Sequence, residues 1–127
     1  MGERLKYGFY MALVKPLSWL PLWMLYGVSD VLRFVISNCM HYRRKVIRDN
    51  LSSCYPEKSR KELRQIEREF YKQFCDNIVE TIKLLNISDR TMRRRLEVRD
   101  AALVEQAADE GKPVILYLGH YCNWEWV

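Results

Sequence analysis

Large apolar residues recur every three or four positions through the middle of the chain, and this spacing predicts a long α-helix. Residues so spaced lie on one side of a helix. Ser59 and Glu62 precede them with the spacing of a capping box, and Asn86 and Ser88 supply a stop. We expect the stripe to pack on a core rather than bind a membrane or partner, as most such stripes do. The apolar positions are Leu63, Ile66, Phe70, Phe74, Ile78, Ile82 and Leu85, and the polar face contains Lys61, Arg64, Glu67, Arg68, Lys72 and Lys83.

An uncharged apolar segment near the N-terminus predicts a helix of another kind. Residues 16–29 contain no charge, but a helix that crosses a bilayer needs about 20 apolar residues. Extension to residue 37 reaches that length and adds Asp30 and Arg33, which can pair because they are three positions apart. The segment also contains aromatic residues of the kind enriched at membrane interfaces, namely Trp19, Trp23 and Tyr26.

Three interpretations of this segment stay open. A signal peptide is least favoured, because Lys15 interrupts the apolar run and no small-residue cleavage site follows. A buried helix of a soluble domain is the second, and a membrane-embedded or interfacial helix is the one we favour. The basic cluster at 41–45 marks the cytoplasmic side of such a helix. We therefore predict a membrane-associated helical segment at 1–41, with residues 42–127 against the inner leaflet.

Shorter patterns predict two more helices and one strand. Residues 42–54 mix basic and apolar positions at helical spacing, and Pro56 ends that pattern. Residues 100–110 form a short Ala-rich helix that Gly111 terminates. The continuous apolar run at 114–118 is typical of a buried strand in a parallel sheet. We expect an α/β fold that is mostly helical over this length.

Composition and charge exclude several classes of protein. The 127 residues are 49% hydrophobic and 29% charged, which fits one folded domain and excludes intrinsic disorder. A mean hydropathy of −0.31 excludes a polytopic membrane protein. Residues 38–99 contain sixteen Lys and Arg against nine Asp and Glu, a net charge of +7. Such a segment suits an anionic membrane surface, an acidic carrier protein or nucleic acid, but no nucleic-acid-binding motif supports the last.

The four cysteines do not form a metal-binding pattern. No pair has C-x-x-C spacing, and the chain has only two histidines, so we expect no zinc site and no other metal. Scattered cysteines without an export signal indicate reduced thiols in a cytosolic environment. These residues are Cys39, Cys54, Cys75 and Cys122.

His120 and Glu125 are the candidates for chemistry. His120 follows the predicted strand, and functional residues gather at the carboxyl ends of parallel strands. On one continuous helix the two side chains would lie about 140° apart and could not meet. With His120 on the strand-end turn and Glu125 in the next helix, the carboxylate can fix the imidazole tautomer, leaving the other nitrogen as a base. A structural role for His120, as a helix cap or a satisfied core histidine, is equally compatible with these residues alone.

The sequence GHYCNWE at 119–125, placed after an apolar run, resembles the lipid A biosynthesis acyltransferase family, the lauroyl and myristoyl transferases of Gram-negative bacteria. An apolar N-terminal helix, the block RKVIRDNL at 44–51, a proline and an amphipathic helix agree with the family pattern. The Tyr-Cys-Asn-Trp form of the motif resembles Bacteroidetes members. Glycerolipid acyltransferases have Asp in the last motif position, so Glu125 favours the lipid A branch.

The resemblance implies an enzyme of lipopolysaccharide biosynthesis at the cytoplasmic face of the cell inner membrane. It would move a fatty acyl chain from acyl carrier protein to a hydroxyl of a lipid A precursor, with His120 as general base and Glu125 as its orienting partner. The donor thioester is already activated, so no cofactor and no covalent intermediate are expected. Cys122 is disfavoured as a nucleophile, because the basic group beside it, His120, already has a role.

The position of the motif also predicts an incomplete domain. Family chains continue well beyond the motif, whereas this sequence ends two residues after Glu125. We expect residues 42–127 to be the N-terminal part of an acyltransferase domain that is inactive as it stands, since a single parallel strand cannot form a sheet. The alternative is a non-catalytic helical module on the membrane surface that binds an acidic partner through residues 38–99.

Overall fold

The computed structural model describes residues 2–99, 101–115, 117, 119 and 123–126. Within those ranges the secondary structure is entirely helical. The described residues form six α-helices, a π-helical segment that follows the second of them, and a 3₁₀ turn near the end of the chain. In chain order the elements are α1 (Gly2–Trp19), α2 (Leu22–Phe34), the π-helix (Val35–Cys39), α3 (Arg44–Cys54), α4 (Arg60–Leu84), α5 (Asp89–Arg95), α6 (Ala101–Asp109) and the 3₁₀ turn (Trp124–Trp126).

The long helix α4 is the central element, and α1, α2 and α3 all pack against it. Its N-terminus is confirmed as a capping box. The Ser59 hydroxyl accepts from the Glu62 backbone N–H at 3.4 Å, and the Glu62 carboxylate accepts from the Ser59 backbone N–H at 2.8 Å. These local bonds satisfy backbone donors that no helix can pair internally, so the predicted start is the observed one.

The buried side of α4 differs from the predicted apolar stripe by one residue. Phe70 and Leu85 of the stripe are 44% and 56% exposed. The buried line lies beside the stripe, and its members are Glu67, Tyr71, Cys75 and Val79. Glu67 can occupy that line because two arginines of α3 neutralise it, an arrangement that an apolar pattern does not reveal.

The core between α2 and α4 is small and partly polar. Leu25 of α2 and Val79 of α4 are buried apolar residues. Ser29 is also buried, and its hydroxyl donates to the Asp76 carboxylate at 2.6 Å. Hydrogen bonds of this kind offset the cost of burying polar groups. The hydrogen bond therefore fixes the position of α2 along α4, in addition to the apolar surface that the two helices bury.

The predicted single helix over 16–37 is wrong, because the chain bends at Leu20 and Pro21 and forms two helices. Proline lacks a backbone donor, and the residue before it avoids the helical region. The carbonyls at the C-terminal end of α1 have no partners within the helix. Lys83 of α4 donates to two of the carbonyls there, those of Ser18 and Leu20, at 2.8 and 3.1 Å. No helix among the described residues is long and apolar enough to cross a membrane.

Other sequence predictions of local structure are confirmed in part. Asp30 and Arg33 do pair, at 3.1 Å. Helices α3 and α6 form where predicted, and Gly111 adopts the left-handed φ of +68° that terminates α6. Helix α5 was not predicted, since Ser88 is its N-cap rather than only a stop.

The structure does not show the predicted strand at 114–118. Val114, Ile115 and Tyr117 have no regular secondary structure, and Ile115 and Tyr117 are 91% and 98% exposed. Leu116 and Leu118 lie outside the described residues. A strand needs a hydrogen-bonded neighbour, and the described part of the chain offers this segment none.

Candidate active site

Glu125 lies in the single 3₁₀ turn formed by Trp124–Trp126, and its side chain is exposed. The turn is closed by the Trp126 backbone N–H, which donates to the Asn123 carbonyl at 3.3 Å. His120 lies outside the described residues, as do Tyr121 and Cys122. The predicted meeting of His120 and Glu125 therefore stays a prediction, while the local turn around the carboxylate is established.

A carboxylate on α4 holds the motif segment in place. The side-chain amide of Asn123 donates to Oε2 of Glu80 at 2.8 Å. The other oxygen of the same carboxylate, Oε1, accepts from the Tyr26 hydroxyl of α2 at 2.7 Å. The Glu80 side chain thus connects α2, α4 and the segment that contains Glu125. Tyr26 is 54 positions from Glu80 in sequence, and Asn123 is 43 positions from it.

Arg95 at the end of α5 extends this network. Its guanidinium donates to the Tyr26 hydroxyl at 3.0 Å and lies 5.8 Å from the centre of the tyrosine ring. Burial raises the pKa of Tyr26, and the hydrogen bond to Glu80 raises this pKa further. The phenol therefore keeps its proton and remains a donor to the Glu80 carboxylate across the physiological range.

Two buried polar atoms beside Glu125 have no partner among the described residues. They are Oδ1 of Asn123, an acceptor, and Nε1 of Trp126, a donor. A buried polar atom without a hydrogen bond costs about 1–3 kcal/mol. Any polar group that reaches these atoms therefore stabilises the turn that positions Glu125.

Neither Tyr26 nor Glu80 was predicted from the sequence to be part of the site. Tyr26 was predicted to face a membrane interface, and the structure shows that it faces α4 instead. A signal for Glu80 was present, because Asp76 and Glu80 are one helical turn apart and flank the apolar pair Ile78 and Val79. A carboxylate on the packed side of a helix needs hydrogen-bond donors. Asp76 accepts from the Ser29 hydroxyl, and Glu80 accepts from the Tyr26 hydroxyl.

The described residues contain no cluster of three His, Cys, Asp or Glu side chains that could hold a metal. Cys39 and Cys54 are exposed free thiols, and Cys75 is a buried one. Burial raises the pKa of Cys75, which keeps it protonated and unreactive. Cys122 lies outside the described residues.

The family described as bacterial lipid A biosynthesis acyltransferase matches residues 3–127, a range that includes both His120 and Glu125. No curated protein and no solved structure matches the chain.

Proposed function

Because the chain belongs to the bacterial lipid A biosynthesis acyltransferase family, we propose that it transfers a fatty acyl chain from an acyl carrier protein thioester to a hydroxyl of a lipid A precursor. The family match over residues 3–127 is the observation that carries this proposal, and it supports the general acyltransferase role directly.

In the proposed mechanism His120 is the general base. It takes the proton of the acceptor hydroxyl as the oxygen attacks the thioester carbonyl, and the carbon–sulfur bond then breaks. The leaving thiolate takes up the proton from the imidazole, so the base is restored. General-base catalysis of this kind contributes about 10²–10⁴-fold in rate. Glu125 orients the imidazole, a role for which its exposed position in the 3₁₀ turn leaves the carboxylate available.

The Glu80 carboxylate supports this mechanism by holding Asn123, two positions before Glu125. Catalysis depends on reacting groups kept close to their productive geometry. In our proposal Glu80 and Tyr26 are positioning residues that act through Asn123, whereas His120 is the residue that touches the substrate.

The proposed α/β sheet begins at residues 114–118. Ile115 and Tyr117 are almost fully exposed, which is costly for large apolar side chains and is relieved when a neighbouring strand and helices cover them. We expect no measurable turnover from the 127-residue chain alone. With Ile115, Tyr117 and Glu125 in solvent, the described residues do not exclude water from the reaction.

We place the protein at the cytoplasmic face of the inner membrane through α1 and α2. One exposed side of α2 is mostly apolar, with Trp23 and Val31 at 74% and 66%, and the Asp30–Arg33 ion pair lies at its edge. Contiguous exposed apolar surface of this kind marks a membrane or partner contact. The exposed members of this membrane face are Trp23, Met24, Val28, Val31, Phe34 and Val35.

Acyl transfer measured with labelled acyl carrier protein tests the proposal. The protein expressed from its complete gene should move the label to a lipid A precursor, and the product should retain the acyl chain after protein removal. Failure to transfer, together with binding to anionic vesicles, would favour the alternative of a non-catalytic helical module. Transfer to a glycerophospholipid instead would show that the acceptor is wrong while the acyltransferase role stands.

A further inference from the structure

A cleft lined by arginines lies between α4 and the segment that runs from the end of α2 into α3. Its volume is about 200 Å³. Five arginine side chains from three elements line what we name the arginine cleft: Arg33, Arg44, Arg48, Arg64 and Arg68. A water molecule in the liquid occupies about 30 Å³, so the cleft has room for a small hydrated anion.

The carboxylates around this cleft do not balance its positive charge. Glu67 lies in the wall, where Arg48 contacts it at 2.9 Å and Arg44 at 3.5 Å. Asp30 pairs with Arg33 at 3.1 Å. In the part of the chain that the structure describes, neither Arg64 nor Arg68 has an ion pair. Two carboxylates thus face five guanidinium groups.

Two nitrogens of these arginines are buried hydrogen-bond donors without acceptors in the described structure, namely Nε of Arg33 and Nε of Arg44. The 3.5 Å separation between Arg44 and Glu67 allows attraction but makes no hydrogen bond from this nitrogen. A buried hydrogen-bond donor without an acceptor costs the most free energy when it belongs to a charged group. An anion would accept these hydrogen bonds and neutralise the excess positive charge.

Two further features of the cleft, a row of arginines on α4 and the start of α3, favour an anion. Arg64 and Arg68 are one helical turn apart on α4, and Arg60 continues the row, so like charges face each other along the helix. On the opposite wall α3 begins at Arg44, and its N-cap residue Arg43 makes no side-chain cap. The Arg44 backbone N–H already donates to the His41 carbonyl at 3.2 Å, so the start of α3 contributes only the positive end of its helix dipole.

We propose that the arginine cleft binds a phosphomonoester group. Its charge is close to −2 at neutral pH, and its oxygens match the fork of N–H donors on several guanidinium groups at once. Arg68 to Glu80 is twelve residues along α4, about 18 Å at 1.5 Å per residue, so the cleft is separate from the Asn123 turn. The proposal therefore does not rest on the acyl-transfer mechanism. The phosphate is either the headgroup of a lipid or a soluble molecule.

Binding to two defined probes distinguishes these sources. The 127-residue chain is mixed with inorganic phosphate, followed by thermal unfolding, and with phosphatidylcholine vesicles that contain phosphatidic acid, followed by sedimentation. Vesicles with phosphatidylglycerol, a phosphodiester, control for general negative charge. The test variant is Arg64→Gln/Arg68→Gln. The matched control is Arg93→Gln/Arg94→Gln, which removes the same charge from exposed positions of α5.

We expect phosphatidic acid to bind more tightly than phosphatidylglycerol, and the Arg64→Gln/Arg68→Gln variant to lose about tenfold or more of that affinity. Without ligand this variant should unfold at the same or a higher temperature, because like charges have been removed. Stabilisation by inorganic phosphate as well assigns the site to any phosphomonoester, and vesicle binding alone assigns it to a lipid headgroup. Stabilisation by inorganic phosphate without a vesicle preference assigns the site to a soluble phosphate. Equal losses in both variants, or neither stabilisation by phosphate nor a preference for phosphatidic acid over phosphatidylglycerol, would overturn the proposal.

Discussion

Asn123 donates a hydrogen bond of 2.8 Å to Glu80, and this contact joins the candidate catalytic segment to the C-terminal part of α4. Glu80 in turn accepts from Tyr26 of α2 at 2.7 Å, so the carboxylate is held from both sides. Side chains fixed by packed helices position a site more accurately than a free loop does. The position of Glu125 therefore depends on residues far from it in sequence.

Removal of the Glu80 carboxylate should slow acyl transfer without weakening substrate binding. In the protein from the complete gene we expect Glu80→Ala to lower kcat about 10- to 100-fold with KM nearly unchanged, because a misplaced group reacts slowly. Glu80→Gln retains one acceptor oxygen and should lose less. Glu69→Gln, on the exposed side of α4, is the matched control. A rise in KM with kcat intact would show that Glu80 does not act through the geometry of the turn.

The contacts of Tyr26 should make the free energy of unfolding decrease as the pH rises above 10. Burial and Glu80 raise the pKa of Tyr26 above its ordinary value of 10.0. A raised pKa contributes stability that is fully present below pH 10 and is lost as the pH rises through the folded-state pKa. The free energy of unfolding of Tyr26→Phe should therefore fall less steeply above pH 10 than that of the wild type.

Denaturant unfolding at a series of alkaline pH values measures this difference. Tyr7→Phe, at an exposed position of α1, is the control and should follow the wild-type profile. Parallel profiles for Tyr26→Phe and the wild type would show that the phenol is not held in its protonated form by the fold.

Leu25 is completely buried between α2 and α4, and its truncation should be the most damaging of the aliphatic changes in this interface. Leu25→Ala leaves a cavity and should lower the free energy of unfolding by about 2–5 kcal/mol. Leu103→Ala on α6, where the side chain is mostly exposed, should change it by less than about 0.5 kcal/mol. Similar losses in both variants would contradict the packing of α2 on α4.

The membrane face of α2 gives a separate prediction. Trp23→Glu/Val31→Glu places two charges on that face and should reduce the fraction of protein that sediments with vesicles, because charged groups do not enter the acyl region. Leu103→Glu adds a charge at an exposed apolar position on α6 and should bind as the wild type does. Recovery of the wild-type protein free of membranes after cell fractionation would overturn the proposed location.

Local sequence signals predicted the ends of helices well. The capping box at Ser59 and Glu62 and the glycine after α6 act through bonds within a few residues, so the sequence contains everything that they need. The break at Pro21 was also available from the sequence, because proline restricts the residue before it. The apolar character of the segment concealed that signal.

The buried polar contacts could not be predicted from local patterns. Glu67, Asp76 and Glu80 lie 19, 47 and 54 positions from partners on α3 and α2, and nothing in a periodic pattern identifies such pairs. For this reason the buried line on α4 was misplaced by one residue and the Glu80 contact with Asn123 was missed. His120 and Glu125 were identified by their motif, and their meeting remains a prediction.

The most direct test of the proposed mechanism is the rate of acyl transfer after replacement of each of the two histidines. The protein from the complete gene is compared with His120→Asn and His41→Asn, because asparagine tolerates the left-handed backbone of His41 and cannot act as a base. We expect His120→Asn to lower the turnover from acyl carrier protein to a lipid A precursor by about 10²-fold or more, and His41→Asn to retain it. Transfer by His120→Asn at the wild-type rate would contradict the assignment of His120 as the general base.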